Sequence, residues 1–101
     1  MEKKVKIAMG QMLVEPGQLD ANLTRACTMI HQAAEKECRI IVLPEALDAG
    51  WTYPGAAELA EPIPGYSSDI LSRAAKEANM YVVAGLTERS GERIYNAAVV
   101  I

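Results

Sequence analysis

The amino-acid sequence predicts an α/β fold in which buried strands alternate with amphipathic helices. Two runs of consecutive apolar residues, Ile40–Leu43 and Met80–Leu86, are typical of buried strands, because a strand with one solvated face alternates apolar and polar residues. Apolar residues at helical spacing precede each run. The elements follow the order β-α-β-loop-α-β-β along 101 residues, a length suited to one small domain.

The composition is typical of a globular protein with a hydrophobic core. Of the residues, 50% are hydrophobic and 23% are charged, and the net charge is -3. A chain without a basic stripe is not expected to bind nucleic acid. No apolar run reaches membrane-spanning length, and the start lacks the apolar segment of a signal peptide. We therefore expect a cytoplasmic protein with no membrane partner.

Cysteine and glycine spacing argue against two common kinds of site. Cys27 and Cys38 lack CxxC spacing and clustered histidines, so no metal site is predicted, and both thiols are expected to be reduced. Gly10 and Gly17, in the first strand-to-helix connection, do not form a phosphate-binding glycine pattern. A nucleotide is therefore not expected, and the sequence predicts no cofactor.

The first two elements are a strand and a long helix. Val5–Leu13 is predicted as the strand, and the following Glu-Pro-Gly-Gln as a turn. Asp20 or Asn22 can cap a helix that runs to about Lys36. The apolar stripe of this helix consists of Leu19, Leu23, Ala26, Cys27, Ile30, Ala33 and Ala34.

His31 follows Cys27 by four residues on this helix, a pair that could be a nucleophile and its base. A thiol on the apolar face of an amphipathic helix lacks access to substrate, and no neighbour in the sequence favours its ionised form. We therefore predict that neither Cys27 nor Cys38 is a catalytic thiol.

Arg39–Leu43 is predicted as a central strand, buried on both faces, that leads into Pro44 and Glu45. Proline has no N–H for a sheet ladder, so Pro44 ends the strand. Glu45 then lies just past the carboxyl end of the strand, where α/β sheets bind ligands. Pro-Glu also suits the first turn of a helix, with the carboxylate favoured by the helix dipole. From these residues alone, the helix start is the favoured interpretation.

A connection of about twenty residues, 46–65, follows Glu45 and could hold one or two short helical turns. It contains the single tryptophan, Trp51, and also Tyr53. Aromatic side chains in such a loop can form the wall of a substrate pocket, or they can anchor the loop to the protein body. We predict that Trp51 and Tyr53 bind substrate, with loop anchoring as the alternative.

The second half of the chain is predicted as a helix followed by a β-hairpin. Ser67 or Ser68 begins the helix, and Asn79 suits its end. Its buried face consists of Ile70, Leu71, Ala74, Ala75 and Ala78. After the apolar strand at 80–86, a polar turn at 87–92 leads into a last strand at 93–101.

The assembled pattern resembles the N-terminal part of the carbon–nitrogen hydrolase (nitrilase-like amidase) superfamily. The specific motifs are Leu-Pro-Glu at the end of the second strand and Tyr-Asn-Ala-Ala-Val in the last one. The resemblance covers nearly the whole chain, in segments 6–11, 20–23, 41–45, 81–86 and 94–100. Each segment is a weak indication by itself, but the set of segments in this order is a strong one.

The resemblance implies an α-β-β-α four-layer sandwich, of which this chain is the N-terminal portion, and an active site of Glu, Lys and Cys. Glu45 corresponds to the general base that takes the thiol proton from the cysteine. The cysteine attacks an amide, carbamoyl or nitrile carbon, the lysine stabilises the developing charge, and water hydrolyses the thioester. Homo-oligomers are common in the family, so an oligomer is expected.

The sequence departs from the family pattern because no residue of this chain corresponds to the lysine or the cysteine. Only Glu45 matches, so the 101-residue chain is expected to be inactive by itself, as part of an enzyme acting on a small amide or nitrile. The alternative is a non-catalytic α/β module of the same fold that binds a ligand or partner.

Overall fold

The computed structural model of the protein describes residues 3–101. Within this range the strands and helices follow the predicted order, and one short helix lies in the long connection, where one or two helical turns were expected. The elements are β1 (Ile7–Met9), α1 (Leu19–Glu35), β2 (Ile40–Val42), α2 (Ala56–Leu59), α3 (Tyr66–Ala78), β3 (Tyr81–Ser90) and β4 (Arg93–Val100).

The strands form one mixed sheet in the order β1-β2-β3-β4. Strands β1, β2 and β3 are parallel, with Ile41 of β2 paired to Ala8 on one side and to Val82 on the other. Strand β4 returns antiparallel to β3, and its register pairs Thr87 with Asn96. The predicted α/β class is therefore confirmed.

The core lies between the sheet and helices α1 and α3, which pack against each other. Ile30 of α1 and Leu71 of α3 are completely buried against Ile41 and Val82 of the sheet. Burying each side chain of this size contributes roughly 1.5–3 kcal/mol, so this layer accounts for much of the stability of the fold.

The opposite face of the sheet is open in the described part of the chain. Val42 is 42% exposed and Met9 is 75% exposed. The side chains of Ile7, Tyr81 and Val100 are exposed as well. The expectation that β2 is buried on both faces is therefore wrong for residues 3–101. Helices α1 and α3 both lie on one face of the sheet. Successive side chains of a strand point to opposite faces, so only every second side chain of β2 is buried under the helices.

The boundaries of β1, α1 and β3 differ from the predictions. Strand β1 is confined to Ile7–Met9. Helix α1 begins at Leu19, after Gln18, so Asp20 and Asn22 both lie inside the helix and neither caps it. Strand β3 continues to Ser90, so most of the predicted turn at 87–92 is strand, because those residues pair with β4 and leave a two-residue turn.

The predicted end of α3 at Asn79 is confirmed, whereas the predicted start at Ser67 or Ser68 is wrong, because the helix begins at Tyr66 after Gly65. Asn79 ends the helix in the left-handed conformation, with φ of 54°. Ser68 lies in the first turn, and its hydroxyl accepts a hydrogen bond of 2.8 Å from the backbone N–H of Gly65. This contact satisfies one N–H at the start of the helix.

Candidate active site

The chain turns sharply after β2 while it remains hydrogen-bonded to β3. The N–H of Gly85 donates to the carbonyl of Pro44 at 3.1 Å, and the N–H of Leu47 donates to the carbonyl of Gly85 at 3.0 Å. Residues 45–49 form a turn, not the beginning of a helix, so the helix interpretation of Pro44-Glu45 is wrong. Glu45 lies at the carboxyl end of a parallel strand, where α/β proteins bind ligands.

Gly85 allows this turn to approach β3 closely. A Cβ atom on Gly85 would lie 2.6 Å from Cα of Glu45 and 2.8 Å from the backbone nitrogen of Ala46. Ala46 itself has φ of 46°, a left-handed conformation that is unfavourable for a residue with a Cβ. The fold therefore holds Glu45 in a tight backbone conformation that only glycine at position 85 permits.

The carboxylate of Glu45 is oriented by an amide on β4. Nδ2 of Asn96 donates a hydrogen bond of 2.8 Å to Oε2 of Glu45. Within residues 3–101, Oε1 of Glu45 has no hydrogen-bond donor, and the side chain is exposed. One carboxylate oxygen is thus fixed while the other is free to accept a proton.

Glu45 and Asn96 face a cleft of about 250 Å³. Its wall includes Trp51, which is largely exposed, and Ile94 and Tyr95, which are each less than half exposed. A larger depression of about 360 Å³ lies at the opposite end of the parallel strands, beside Arg39 and Tyr81. Size alone does not select between them, but only the first contains an oriented carboxylate.

Of the two aromatic residues predicted to bind substrate, the structure places one, Trp51, beside Glu45. Trp51 lines the cleft with Glu45. The ring of Tyr53 lies outside the cleft lining, against the Cα atoms of Gly17 and Gly55. This position suits a loop anchor, the alternative that the sequence left open, and substrate binding by Tyr53 stays a prediction.

A buried polar network supports the turn, and sequence reasoning missed it. Asp48 is 3% exposed, and its carboxylate accepts hydrogen bonds from the backbone N–H and the hydroxyl of Thr87, at 2.8 and 3.1 Å. Nδ2 of Asn22, a fully buried side chain, donates to the carbonyl of Asp48 at 2.9 Å. The helical spacing of Asn22 with the buried Ala26 and Ile30 was the available signal, because a polar residue on an apolar stripe needs partners.

The cysteines lie away from this cleft. Cys27 is half-buried on α1, and burial, followed by the negative charge of Glu77, raises the pKa of its thiol. Nε2 of His31 lies 3.7 Å from Oε2 of Glu77. A raised thiol pKa lowers the thiolate fraction, which is opposite to the requirement of a nucleophile. Cys38 is buried at the end of α1.

Within residues 3–101, His, Cys, Asp and Glu side chains do not gather in groups of three or more that could hold a metal ion. No helix in the same range is long and apolar enough to cross a membrane.

Together, the fold and the cleft define an α/β protein with an oriented carboxylate at the carboxyl edge of parallel strands. The family model described as carbon-nitrogen hydrolase matches residues 6–101. The chain therefore belongs to the carbon–nitrogen hydrolase family.

Curated relatives agree with this assignment. The omega-amidase NIT2-A of Xenopus laevis is 39% identical over 98 residues, which are 96% of this chain and 35% of the relative. A nitrilase of Pyrococcus abyssi is 32% identical over 105 aligned positions, covering 100% of this chain and 39% of the relative. The chain thus spans little more than a third of the length of these relatives.

Solved structures share the fold. A CN-hydrolase superfamily protein of Xanthomonas campestris superposes with a TM-score of 0.83 at 15% identity, covering 98% of this chain and 40% of the other. The nitrilase-superfamily protein Nit3 of Saccharomyces cerevisiae gives a TM-score of 0.82 at 23% identity, covering 96% of this chain and 39% of the other.

Proposed function

We propose that this chain is the N-terminal portion of a single carbon–nitrogen hydrolase domain that cleaves a non-peptide amide, carbamoyl or nitrile substrate. The observation that carries the proposal is the carboxylate of Glu45, held by Asn96 at the edge of the parallel strands and facing a cleft. The family membership and the names of the relatives, omega-amidase and nitrilase, support this class of reaction.

In the proposed mechanism, Glu45 is the general base. Its free oxygen, Oε1, accepts the proton of a cysteine thiol as the sulfur attacks the substrate carbon. A lysine stabilises the charge that develops on the substrate oxygen or nitrogen. From an amide, ammonia or an amine leaves with a proton returned from Glu45, whereas the thioimidate formed from a nitrile first adds water and then releases ammonia. In both cases a further water hydrolyses the thioester to a carboxylic acid. The lysine and the cysteine are supplied by residues outside this chain.

The hydrogen bond from Asn96 suits this role. It engages Oε2 alone, so it fixes the direction of the carboxylate and leaves Oε1 without a donor within residues 3–101. A general base needs one oxygen in a defined place and one oxygen free for the proton. The arrangement of Oε2 and Oε1 in Glu45 meets both needs.

Trp51 is proposed as the substrate-binding residue of this chain. Its exposed indole faces the cleft beside Glu45, together with Ile94 and Tyr95. These side chains offer a largely apolar wall to the part of a small substrate next to the scissile bond. Tyr53 remains a predicted binding residue, with loop anchoring as the role that its position favours.

The test is the variant Glu45→Gln in the full-length protein. We expect kcat to fall by about 10²–10⁴-fold, because the amide cannot accept the thiol proton. Circular dichroism should be unchanged, since the side chain is exposed and the replacement has the same shape. Glu35→Gln, an exposed glutamate at the end of α1, is the matched control and should keep wild-type kcat. Near-normal hydrolysis by Glu45→Gln would refute the general-base assignment.

A second candidate function follows from the single catalytic position in this chain. Since Glu45 alone matches the family triad, the chain could be part of a non-catalytic module that binds a ligand or partner. Such a module would bind small amides without turnover in calorimetry of the full-length protein, whereas the proposed enzyme releases ammonia or an amine. A homo-oligomer and a cytoplasmic location stay predictions, which light scattering and fractionation can test.

A further inference from the structure

We propose that Asp48 is a positioning residue for Glu45, an inference that rests on the proposed general-base function. Asp48 does not line the cleft and lies three residues after Glu45 in the same turn. Its carboxylate connects this turn to β3, at the position where β3 meets the strand that carries Asn96.

The surroundings of Asp48 show how firmly the turn is held. Oδ1 accepts hydrogen bonds from the N–H of Ala49 at 2.8 Å and from the hydroxyl of Thr87 at 3.1 Å. Oδ2 accepts the N–H of Thr87 at 2.8 Å. Within residues 3–101 no Lys, Arg or His forms an ion pair with this side chain. The carboxylate of Asp48, a residue that is 3% exposed, is therefore satisfied by neutral donors alone. Because a buried polar group without a partner is costly, the loss of any one donor should destabilise this arrangement.

These contacts close a ring that contains Glu45. Thr87 is the cross-strand partner of Asn96, and Asn96 donates to Oε2 of Glu45. Asp48 then links Thr87 back to the turn of Glu45. Asp48 holds the backbone of the turn, and Asn96 holds the carboxylate of Glu45. Both contacts are made with the cross-strand pair Thr87 and Asn96 of the β3–β4 hairpin.

The ring is also attached to helix α1. Nδ2 of Asn22 donates to the carbonyl of Asp48 at 2.9 Å, and Asn22 is fully buried. Asp48 therefore joins the turn to a helix and to a strand, in addition to the backbone hydrogen bonds that the turn forms with Gly85. A fixed position of this kind is what a general base requires, because displacements of about 1 Å can lower the rate by about 10²-fold.

The experiment is Asp48→Asn in the full-length protein. Both carboxylate oxygens accept N–H or O–H donors, so an amide NH₂ in either orientation must face a donor. We expect kcat to fall by about 10–100-fold with KM within about twofold of wild type. In a crystal structure, the distance from Oε2 of Glu45 to Nδ2 of Asn96 should exceed the 2.8 Å found here.

Two further variants separate positioning from folding. Ser68→Ala removes a buried hydroxyl that bonds Gly65 at the start of α3, and should lower Tm while leaving kcat unchanged. Thr87→Val removes only the longest of the three hydrogen bonds to Asp48 and should lower kcat by about threefold to tenfold. If Asp48→Asn does not fold, the Thr87→Val variant is used instead. Because Thr87 also lines the cleft, its kcat is then interpreted together with the position of the Glu45 carboxylate in its crystal structure.

The outcomes distinguish this inference from the proposed function. Unchanged kcat in Asp48→Asn and Thr87→Val, with Glu45→Gln inactive, would overturn positioning by Asp48 and leave the general base intact. Full activity in Glu45→Gln would overturn the general base instead. In that case the crystal structure of Asp48→Asn, or of Thr87→Val, tests whether Asp48 positions Glu45. A Glu45 carboxylate that has not moved contradicts the inference, whichever reaction the protein catalyses.

Discussion

Nδ2 of Asn96 donates a 2.8 Å hydrogen bond to Oε2 of Glu45, joining two residues that are 51 positions apart in the chain. Glu45 follows a parallel strand, and Asn96 lies in the antiparallel strand at the edge of the same sheet. The contact therefore depends on the sheet order, since β3 lies between the two residues. It explains why the Tyr-Asn motif of the last strand and the Pro-Glu motif of the second belong to one site.

Replacing Asn96 by alanine frees the Glu45 carboxylate to rotate. We expect kcat in the full-length protein to fall by about 10–100-fold, with a smaller change in KM. Steady-state kinetics would measure both parameters. Gln32→Ala, which removes an exposed amide on α1, should have no effect. Wild-type kcat in Asn96→Ala would show that the hydrogen bond does not orient the base.

Gly85→Ala tests the close approach between β3 and the turn. The new Cβ would lie 2.6 Å from Cα of Glu45 and 2.9 Å from the carbonyl oxygen of Pro44, so the backbone must shift. We expect a loss of about 1–3 kcal/mol in the free energy of unfolding, as for other overpacked sites, and a large fall in kcat. Denaturant titration and kinetics would measure the two effects.

Gly91→Ala is the matched control for that variant. Gly91 lies in the turn between β3 and β4 with φ of 62°, and no atom lies within 4 Å of a Cβ placed there. Alanine is strained at this φ, so stability should fall by about 1–2 kcal/mol while kcat is kept. An equal loss of kcat in both glycine variants would show that instability, not the position of Glu45, limits activity.

The sequence predicted the fold well where the signal was local. The apolar run before Pro44 and the helical stripe of α1 depend on strand and helix periods, which a single sequence displays. The end of β3 was not predictable in the same way. Residues 87–90 are polar, and their composition predicts a turn. In the structure they pair with β4, and this pairing overrides the preference of the local composition.

The candidate site shows the same division between local and distant information. The residues around Glu45 placed it after a strand but favoured a helix start, and the family motif indicated it as a general base. The contacts of Asp48 could not be predicted, because its partners Thr87 and Asn22 are distant in sequence and meet it only after the helix and sheet have packed. The exposed face of the sheet likewise escaped prediction, since an apolar strand does not reveal which of its faces the described chain covers.

Asn22→Ala should be among the most destabilising substitutions in this region. The side chain is fully buried, accepts the N–H of Glu15, and donates to the carbonyls of Glu15 and Asp48. Leaving the buried carbonyl of Asp48 and the partly buried backbone groups of Glu15 without this partner should lower the free energy of unfolding by about 2–4 kcal/mol. Thr28→Ala, which removes an exposed hydroxyl on the same helix, should change it by less than about 0.5 kcal/mol. Equal denaturation midpoints would contradict this.

Trp51→Ala and Tyr53→Ala should differ in their effects on kinetics. Trp51 faces the cleft and is 77% exposed, so its removal should raise KM by about tenfold with little change in stability. The ring of Tyr53 packs on Gly17 and Gly55, so its removal should lower Tm. A raised KM in Tyr53→Ala at unchanged Tm would instead support the prediction that Tyr53 contacts substrate.

The alkylation of Cys27 should respond to a charge on a neighbouring helix. Burial and then Glu77 raise the pKa of this thiol, so the folded protein holds the proton more firmly than the unfolded chain does. The raised pKa of Cys27 therefore contributes to the free energy of unfolding. This contribution is complete at a pH below the pKa of the thiol in the unfolded chain, and it is lost as the pH rises through the pKa of the thiol in the folded protein. Glu77→Gln removes the negative charge, and the pKa of Cys27 should fall.

The measurement is the rate of iodoacetamide labelling of the Cys27 peptide between about pH 7 and pH 11, followed by mass spectrometry. Because the thiolate is the reactive form, the midpoint for Glu77→Gln should move to lower pH than in the wild type. Glu35→Gln removes an exposed glutamate that does not affect this thiol and should leave the midpoint in place. A midpoint that is the same in all three proteins would leave burial alone as the cause of the raised pKa.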